Sequence, residues 1–525
     1  MRRLVVAAVA ASALWASVTG VAHATTFTVG SLTRVSGPSP FAPGCGGPGE
    51  AAPTSFNYQN AEVEPWVAVN PTNPANIVGF WQQDRWSDGG AHGLVAGVSK
   101  DGGASWTQSW PAFSRCAGAG PADPGYFERA TDPWVSFSPN GDLYSISVSF
   151  DNSTPRNAVL VSKSTDGGTT WQRPITVRFD NPRALGNNFN DKESITADPG
   201  DARYAYAVWD RLVSPSERAS ASGYEHGGLA TWRGPTWFAR TTDGGQTWEP
   251  ARPIYDPGQR NQTISNQIVV TPDGTLIDGF QLIKASQNNQ GTRGYNVAVI
   301  RSTDKGVTWS EPTIVAPDPN FGTNDPEPVV CRSFYPTPNL NPCAFVRTGN
   351  IVPDFAVDRT GGPNNGTVYA VWQEHQTFTV LGSPVDDAIM LSRSTNGGLT
   401  WSAPVKVNQT PASAYNRQAF TASVHVRANG DVAVSYYDMR NDVAGDASLT
   451  TDTWIVHSHD GGLTWGSEAK IGTPFNMRIA PYAGGYFVGD YEGLDSAGNV
   501  FRPLFVQAND GMLNNRTDVF ITSAG

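Results

Sequence analysis

Four cysteines in 525 residues, few lysines, and no apolar run beyond about Val21 long enough to cross a bilayer are the first things to note in this chain. The spacing of Cys45, Cys116, Cys331 and Cys343 matches no zinc pattern. There is no His-Glu-x-x-His, no Gly-x-Ser-x-Gly and no glycine-rich phosphate loop ahead of a helix, which disfavours zinc proteases, serine hydrolases of that class and nucleotide enzymes. A formal net charge of -11 without long acidic runs disfavours nucleic acid and anionic membrane as partners. Neither a cofactor nor a metal is expected from the motifs.

What is present begins at the N-terminus. Arg2 and Arg3, an apolar stretch from Leu4 to about Val21, and the small-residue exit Ala22-His23-Ala24 read as a secretory signal peptide over residues 1–24, leaving 25–525 as one exported domain. Export makes disulfides the natural state of the cysteines. A local Cys331–Cys343 pair and a Cys45–Cys116 tie to the N-terminal arm are expected, with three connectivities formally open. Many Gly, Pro and Trp residues and 11% aromatics fit a β-rich, loop-rich domain.

An eight-residue phrase occurs six times: Ser99 to Trp106, Ser164 to Trp171, Thr241 to Trp248, Ser302 to Trp309, Ser394 to Trp401 and Ser458 to Trp465. Its pattern is Ser/Thr, any, Asp, any, Gly, any, Thr/Ser, Trp, with Asn396 in the Asp place of the fifth copy. Asp or Asn accepts hydrogen bonds from backbone amides ahead of it, and Gly supplies positive φ without a Cβ clash. Each copy therefore reads as a hairpin turn whose Trp opens the next strand and anchors it. Repetition at this spacing marks supersecondary units that bury their apolar faces against neighbours.

The phrase resembles the Asp-box, or BNR repeat, of the sialidase-like β-propellers, and the repeats span most of the mature chain. The resemblance implies an all-β propeller of four-stranded antiparallel blades, with the boxes on the face opposite the active site. Inner-strand segments recur near Trp66, Trp134, Ser194, Gln267, Phe355, Ala422 and Tyr491. The last unit ends without an outer strand, and Phe27 to Val35 can supply one. Seven blades with a split closing blade are expected, with six as the alternative.

In a propeller the loops entering inner strands and leaving second strands share one face. That rim carries Glu62, Glu64, Arg129, Asp132, Asp191, Glu193, Asp354, Arg417, Arg478, Asp490 and Tyr491 from entering loops. Leaving loops add Asp84, Arg85, Asp151, Asp210, Arg211, Glu374, His375, Asp438, Arg440 and Asp442. The resemblance implies three arginines on a substrate carboxylate, a tyrosine nucleophile beside a glutamate, and an Asp acid. Asp132, Glu193 and Tyr491 are the candidate catalytic residues, and Arg129, Arg417 and Arg478 the candidate substrate-binding ones. Arg85, Arg211 and Arg440 are alternative pocket arginines. The family's Arg-Ile-Pro motif is absent, the nearest string being Arg478-Ile479-Ala480-Pro481. Structural ion pairing between blades is the competing reading, with Asp210-Arg211 and Asp438/Arg440 well suited to it.

Two insertions, Leu212 to Trp237 and Pro312 to Pro353, stand out by length. The first is a candidate lid or substrate wall. The second holds Cys331 and Cys343 and an oxygen-rich stretch, Asp318 to Glu327, for which a solvated loop is preferred over a calcium site. The functional expectation is a secreted, monomeric, exo-acting glycoside hydrolase of exo-α-sialidase type acting on acidic-sugar-terminated glycans. The alternatives are a non-catalytic glycan- or protein-binding propeller and a polysaccharide lyase.

Overall fold

The structure is a computed structural model, and it describes residues 27–181, 188–214, 233–284, 294–319, 323–324, 345–375 and 386–525. The segment read as a signal peptide, Cys331, Cys343 and most of both insertions lie outside these residues. Among the described residues there is almost no helix, and no helix is long and apolar enough to cross a membrane.

The strands form consecutive antiparallel meanders. The first comprises Asn57–Val69, Ile77–Trp86, Ala91–Ser99 and Thr107–Ser109, and the second Arg129–Phe137, Leu143–Phe150, Asn157–Ser164 and Ile175–Asp180. The third runs Asn188–Ala197, Ala205–Val213, Thr236–Thr241 and Arg252–Tyr255, and the fourth Gln262–Val270, Leu276–Lys284, Gly294–Ser302 and Thr313–Pro317. The fifth runs Asp354–Val357, Val368–His375, Asp386–Ser394 and Val405–Lys406, and the sixth Arg417–Val426, Val432–Asp438, Thr450–Ser458 and Ala469–Lys470. The last unit has Gly493–Ala497, Val500–Ala508 and Thr517–Ile521, and its outer edge is paired by Thr33–Arg34 from the N-terminal segment.

The first strands of these units touch in chain order, and that of the last unit touches that of the first. No hydrogen-bonded sheet closes on itself among the described residues. Packing between faces does the joining. Val78, Phe80, Leu94 and Val98 of the first meander bury against Val135, Phe137, Leu143 and Leu160 of the second, whose other face meets Ile195, Ala205, Ala207 and Trp209 of the third. Second strands such as Ile77–Trp86 and Val432–Asp438 are buried along their whole length because a sheet lies on either side.

All six copies of the repeated phrase fold as the same turn between third and fourth strands. In the second copy the Ser164 hydroxyl donates to Asp166 Oδ1 (2.8 Å), which also accepts the Thr170 amide (2.9 Å), while Asp166 Oδ2 accepts the Thr170 hydroxyl (2.7 Å). In the fifth, Asn396 Oδ1 accepts from the Ser394 hydroxyl (2.9 Å) and the Thr400 amide (3.0 Å), and Asn396 Nδ2 donates to the Thr400 hydroxyl (2.8 Å). Asp166→Asn is therefore expected to be nearly neutral, whereas Asp166→Ala loses about 1 kcal/mol, measurable as a shift of the urea midpoint.

The Cys45–Cys116 disulfide joins the N-terminal segment to the loop after the first meander. It reduces the freedom of the unfolded arm and fixes the segment that packs on the first two units.

Candidate active site at the axis

Five inner strands share one irregularity. The pairing register shifts at Val63/Trp66, Thr131/Trp134, Asp191/Ser194, Ile264/Gln267 and Phe420/Ser423. Within each shift one residue adopts a left-handed backbone: Glu64 (φ 54°), Asp132 (54°), Lys192 (45°), Ser265 (62°) and Thr421 (49°). Such conformations are costly for residues other than Gly and persist where the surroundings over-determine them. A bulge re-aims a side chain, and here it draws residues of successive units together.

Lys192 is the hub of that convergence. Its Nζ donates to Glu64 Oε1 at 3.0 Å and Asp132 Oδ1 at 2.8 Å, and lies 2.8 Å from Asp490 Oδ2. Gln82 Nε2 donates to Glu64 Oε2 and to the Thr131 hydroxyl, and Arg85 in turn donates to Gln82 Oε1 at 2.8 Å. Arg347, from the second insertion, grips Asp490 with two bonds, Nε to Oδ1 at 3.1 Å and Nη2 to Oδ2 at 2.6 Å, and stacks on Phe487. Strand Phe345–Arg347 is held there by parallel pairing with Tyr486–Phe487. Trp66 and Trp134 stack with ring centroids 3.4 Å apart, and Tyr491 meets both edge-on, forming an aromatic wall beside the hub.

Glu64, Asp132, Lys192 and Asp490 are buried, whereas the Arg347 side chain keeps 25% of its surface exposed. Burial raises the Glu64 carboxyl to about 7, with Asp132 and Asp490 adding to the rise and Lys192 opposing it. Burial also acts to raise Asp490, but Arg347 and Lys192 outweigh it and hold this group far below the usual carboxylate range. Desolvation works to lower the ammonium of Lys192, yet Asp132, Asp490 and Glu64 hold it well above its ordinary value. The centre thus pairs a carboxyl poised near neutrality with a carboxylate kept anionic.

Two close approaches depend on glycine. A Cβ on Gly489, whose φ is 148°, would lie 2.9 Å from the Glu64 amide nitrogen, and one on Gly349 would lie 1.4 Å from the Asp490 carbonyl oxygen. Gly349→Ala is expected to push the insertion off Asp490, with a loss of about 1–3 kcal/mol from overpacking. Thermal denaturation would register the loss, and a crystal structure of the variant would show the broken Arg347–Asp490 contact.

The candidate residues divide into two groups. Asp132, Glu193 and Tyr491 lie within electrostatic reach of one another. Glu193 is buried, and desolvation followed by Asp132 and Asp191 raises its carboxyl well above normal. The Tyr491 hydroxyl donates to the Pro133 carbonyl at 3.1 Å, and burial, then Glu64, Asp132, Glu193 and Asp490, push its phenol well up. The three arginines are engaged at separate places. Arg129 is fully buried, donating to the Glu50 carbonyl, Asp88 and the Gly89 carbonyl while stacking on Trp86. Arg417 lies 3.5 Å from Asp386 and donates to the Ala412 carbonyl, and Arg478 donates to the Asp446 carbonyl.

Of the alternative arginines, Arg85 reaches the centre through Gln82. Arg211 pairs with Asp180 of the neighbouring second meander at 2.7 Å, an ion pair between units as that reading supposes, whereas Arg440 is held within the sixth meander, between Asp438 and Glu468. Lys192 and Arg347 were not among the candidates. The signal for Lys192 is its place beside Glu64 and Asp132 when the inner-strand segments are aligned, whereas the sequence around Arg347 gives none.

No family profile matches the chain, and no curated protein matches it. Among solved structures it is similar to a Hadza microbial sialidase, with 15% identity over 85% of this chain and 73% of that one and a TM-score of 0.44. It is also similar to a Penicillium chrysogenum alpha-L-arabinanase complexed with arabinobiose (13% identity, 89% and 98% covered, TM-score 0.45). A third similarity is to a leech intramolecular trans-sialidase (10% identity, 90% and 93% covered, TM-score 0.44). Likenesses this distant assign no role to any residue here.

Proposed function

We propose that the meanders are the blades of a seven-bladed propeller, split in its closing blade, and that the chain is a secreted glycoside hydrolase acting at the axial centre. The cyclic contacts of the inner strands and the pairing of Thr33–Arg34 with the last unit support the architecture. The chemical reading rests on one observation: Glu64, raised to about 7, shares Lys192 with Asp490, which Arg347 keeps anionic. Glycosidic cleavage requires a carboxyl that gives a proton to the leaving oxygen and a second carboxylate that activates water or stabilises the cationic sugar. Environments that drive two carboxyl pKa values apart assign those roles. In this reading Glu64 is the acid, Asp490 the anionic partner, Asp132 the third support of Lys192, and Tyr491 part of the wall.

A narrower reading, cleavage next to an acidic terminal sugar, is favoured by the cations at the centre, Lys192, Arg347 and Arg85. The experiment is a panel of sialosides, uronic-acid glycosides and neutral pentosides and hexosides offered to the purified chain. Turnover of at least one class, lost by about 100-fold or more in Glu64→Gln as expected for removal of a general acid, supports the hydrolase. Folded protein that binds glycans and cleaves none would favour the non-catalytic propeller instead.

A further inference from the structure

Away from the axis, Cys45, Cys116, Glu50 and His92 each contribute one potential ligand atom, all within 4.8 Å of one another. The first and third of these residues lie in the N-terminal segment, Cys116 in the loop after the first meander, and His92 at the start of the strand Ala91–Ser99. His92 and Glu50 are buried, while both cysteines are partly exposed.

The imidazole is oriented as a metal ligand would be. His92 Nδ1 lies 3.0 Å from Asp84 Oδ2, and Nε2 faces Glu50 Oε2, 3.7 Å away, an oxygen that also accepts the Gly46 amide at 2.6 Å. The separation of Nε2 from Glu50 Oε2 is too long for a hydrogen bond. It is close to the roughly 3.3 Å expected between nitrogen and oxygen ligands of one tetrahedral zinc. Asp84 is itself fixed: its backbone is left-handed (φ 64°), and its carboxylate also accepts the Asn60 amide (2.8 Å) and the Ser39 hydroxyl (2.7 Å). A carboxylate on the far nitrogen is the usual outer support of a metal-bound histidine.

We infer that this cluster is a thiol-gated site for a borderline-soft divalent ion of the zinc class. With the disulfide closed, the sulfurs are withheld, and His92 sits between two carboxylates. A dithiol opens it: the dithiol gives up two electrons and two protons and closes to its own disulfide, while Cys45 and Cys116 become thiols. On binding, the two thiols release their protons, and two thiolate sulfurs, His92 Nε2 and the Glu50 carboxylate supply four donors. Two sulfurs with one nitrogen and one oxygen suit zinc rather than calcium or magnesium.

The test uses the full chain reduced anaerobically with dithiothreitol, freed of reductant, and titrated with cobalt(II) as the spectroscopic probe. One equivalent should bind with the intense visible bands of tetrahedral thiolate coordination, and zinc should displace it. The oxidised chain and the Cys45→Ser/Cys116→Ser variant should show no such bands. Asp84→Asn should weaken binding by about 10–100-fold, the usual loss for an outer-shell partner. A reduced chain that keeps its circular dichroism but gains no bands over the double-serine variant overturns the inference, as does loss of the fold on reduction.

Discussion

Lys192→Met is expected to cost about 3–5 kcal/mol of stability at neutral pH, the range for removing one member of a buried ion set. Lys192 is the contact shared by Glu64, Asp132 and Asp490, which come from three different units. Methionine keeps the length of the stem but leaves like charges facing one another with Arg347 on one of them only. The unpaired carboxyls then take up protons, so the loss should shrink as pH falls toward 4, where protonation relieves the repulsion. Urea denaturation at pH 7.5 and 4.5 measures both values. A loss below about 1 kcal/mol at pH 7.5, the size of an exposed pair, would show that the three carboxylates do not depend on this ammonium.

The second large effect is the pH dependence of stability carried by Glu492. Burial raises this carboxyl to about 8. A folded-state value above the unfolded one means that the native chain binds the proton more tightly. The contribution is full below the unfolded value, near 4.5, and is lost as pH climbs from there through 8. Glu64, at about 7, and Asp354, raised by burial to about 6, act in the same direction. Asp490 acts oppositely, since a depressed carboxylate stabilises above its unfolded value and loses that contribution as pH falls. Glu492→Gln, which keeps the shape without the titration, should match wild type near pH 4.5 and exceed it by several kcal/mol near pH 8.5. Parallel curves for the two proteins across that range would contradict the burial of an ionisable group at this position.

Much of the architecture was legible in the residues. The repeated Ser-x-Asp-x-Gly-x-Thr-Trp phrase fixes its own turn through local hydrogen bonds, so its conformation needs no distant partner. The pairing of the N-terminal segment with Thr517–Ile521 follows from a last unit that ends one strand short, and the tie between Cys45 and Cys116 is the pair left once Cys331 and Cys343 are assigned to each other. The centre was legible only in part. Asp132 and Tyr491 lie beside Lys192 because they stand at the starts of inner strands, where the topology gathers charged groups. The arginines Arg129, Arg417 and Arg478 occur in a compatible order along the chain, but order does not encode direction, and each meets a partner elsewhere.

Lys192 was hidden by its backbone. A lysine in a strand of alternating residues reads as solvated, and only the left-handed turn at the bulge directs it inward. Aligning Val63-Glu64-Pro65-Trp66, Thr131-Asp132-Pro133-Trp134 and Asp191-Lys192-Glu193-Ser194 puts the three interacting side chains in one column. Arg347 is different in kind. It enters from an insertion that obeys no repeat, and its position follows from the docking of Phe345–Arg347 beside Tyr486–Phe487.

The ionisation of Glu64 tests the axial centre most directly, and it can be followed without any substrate. Carboxyl infrared difference spectra of wild type against Glu64→Gln, recorded across pH 3 to 9, isolate that one group. An inflection near 7 is the result the convergent arrangement predicts. An inflection near 4.5, the value of a solvated glutamate, would contradict a buried carboxyl shared with Lys192 and remove the proton donor on which the hydrolase reading depends.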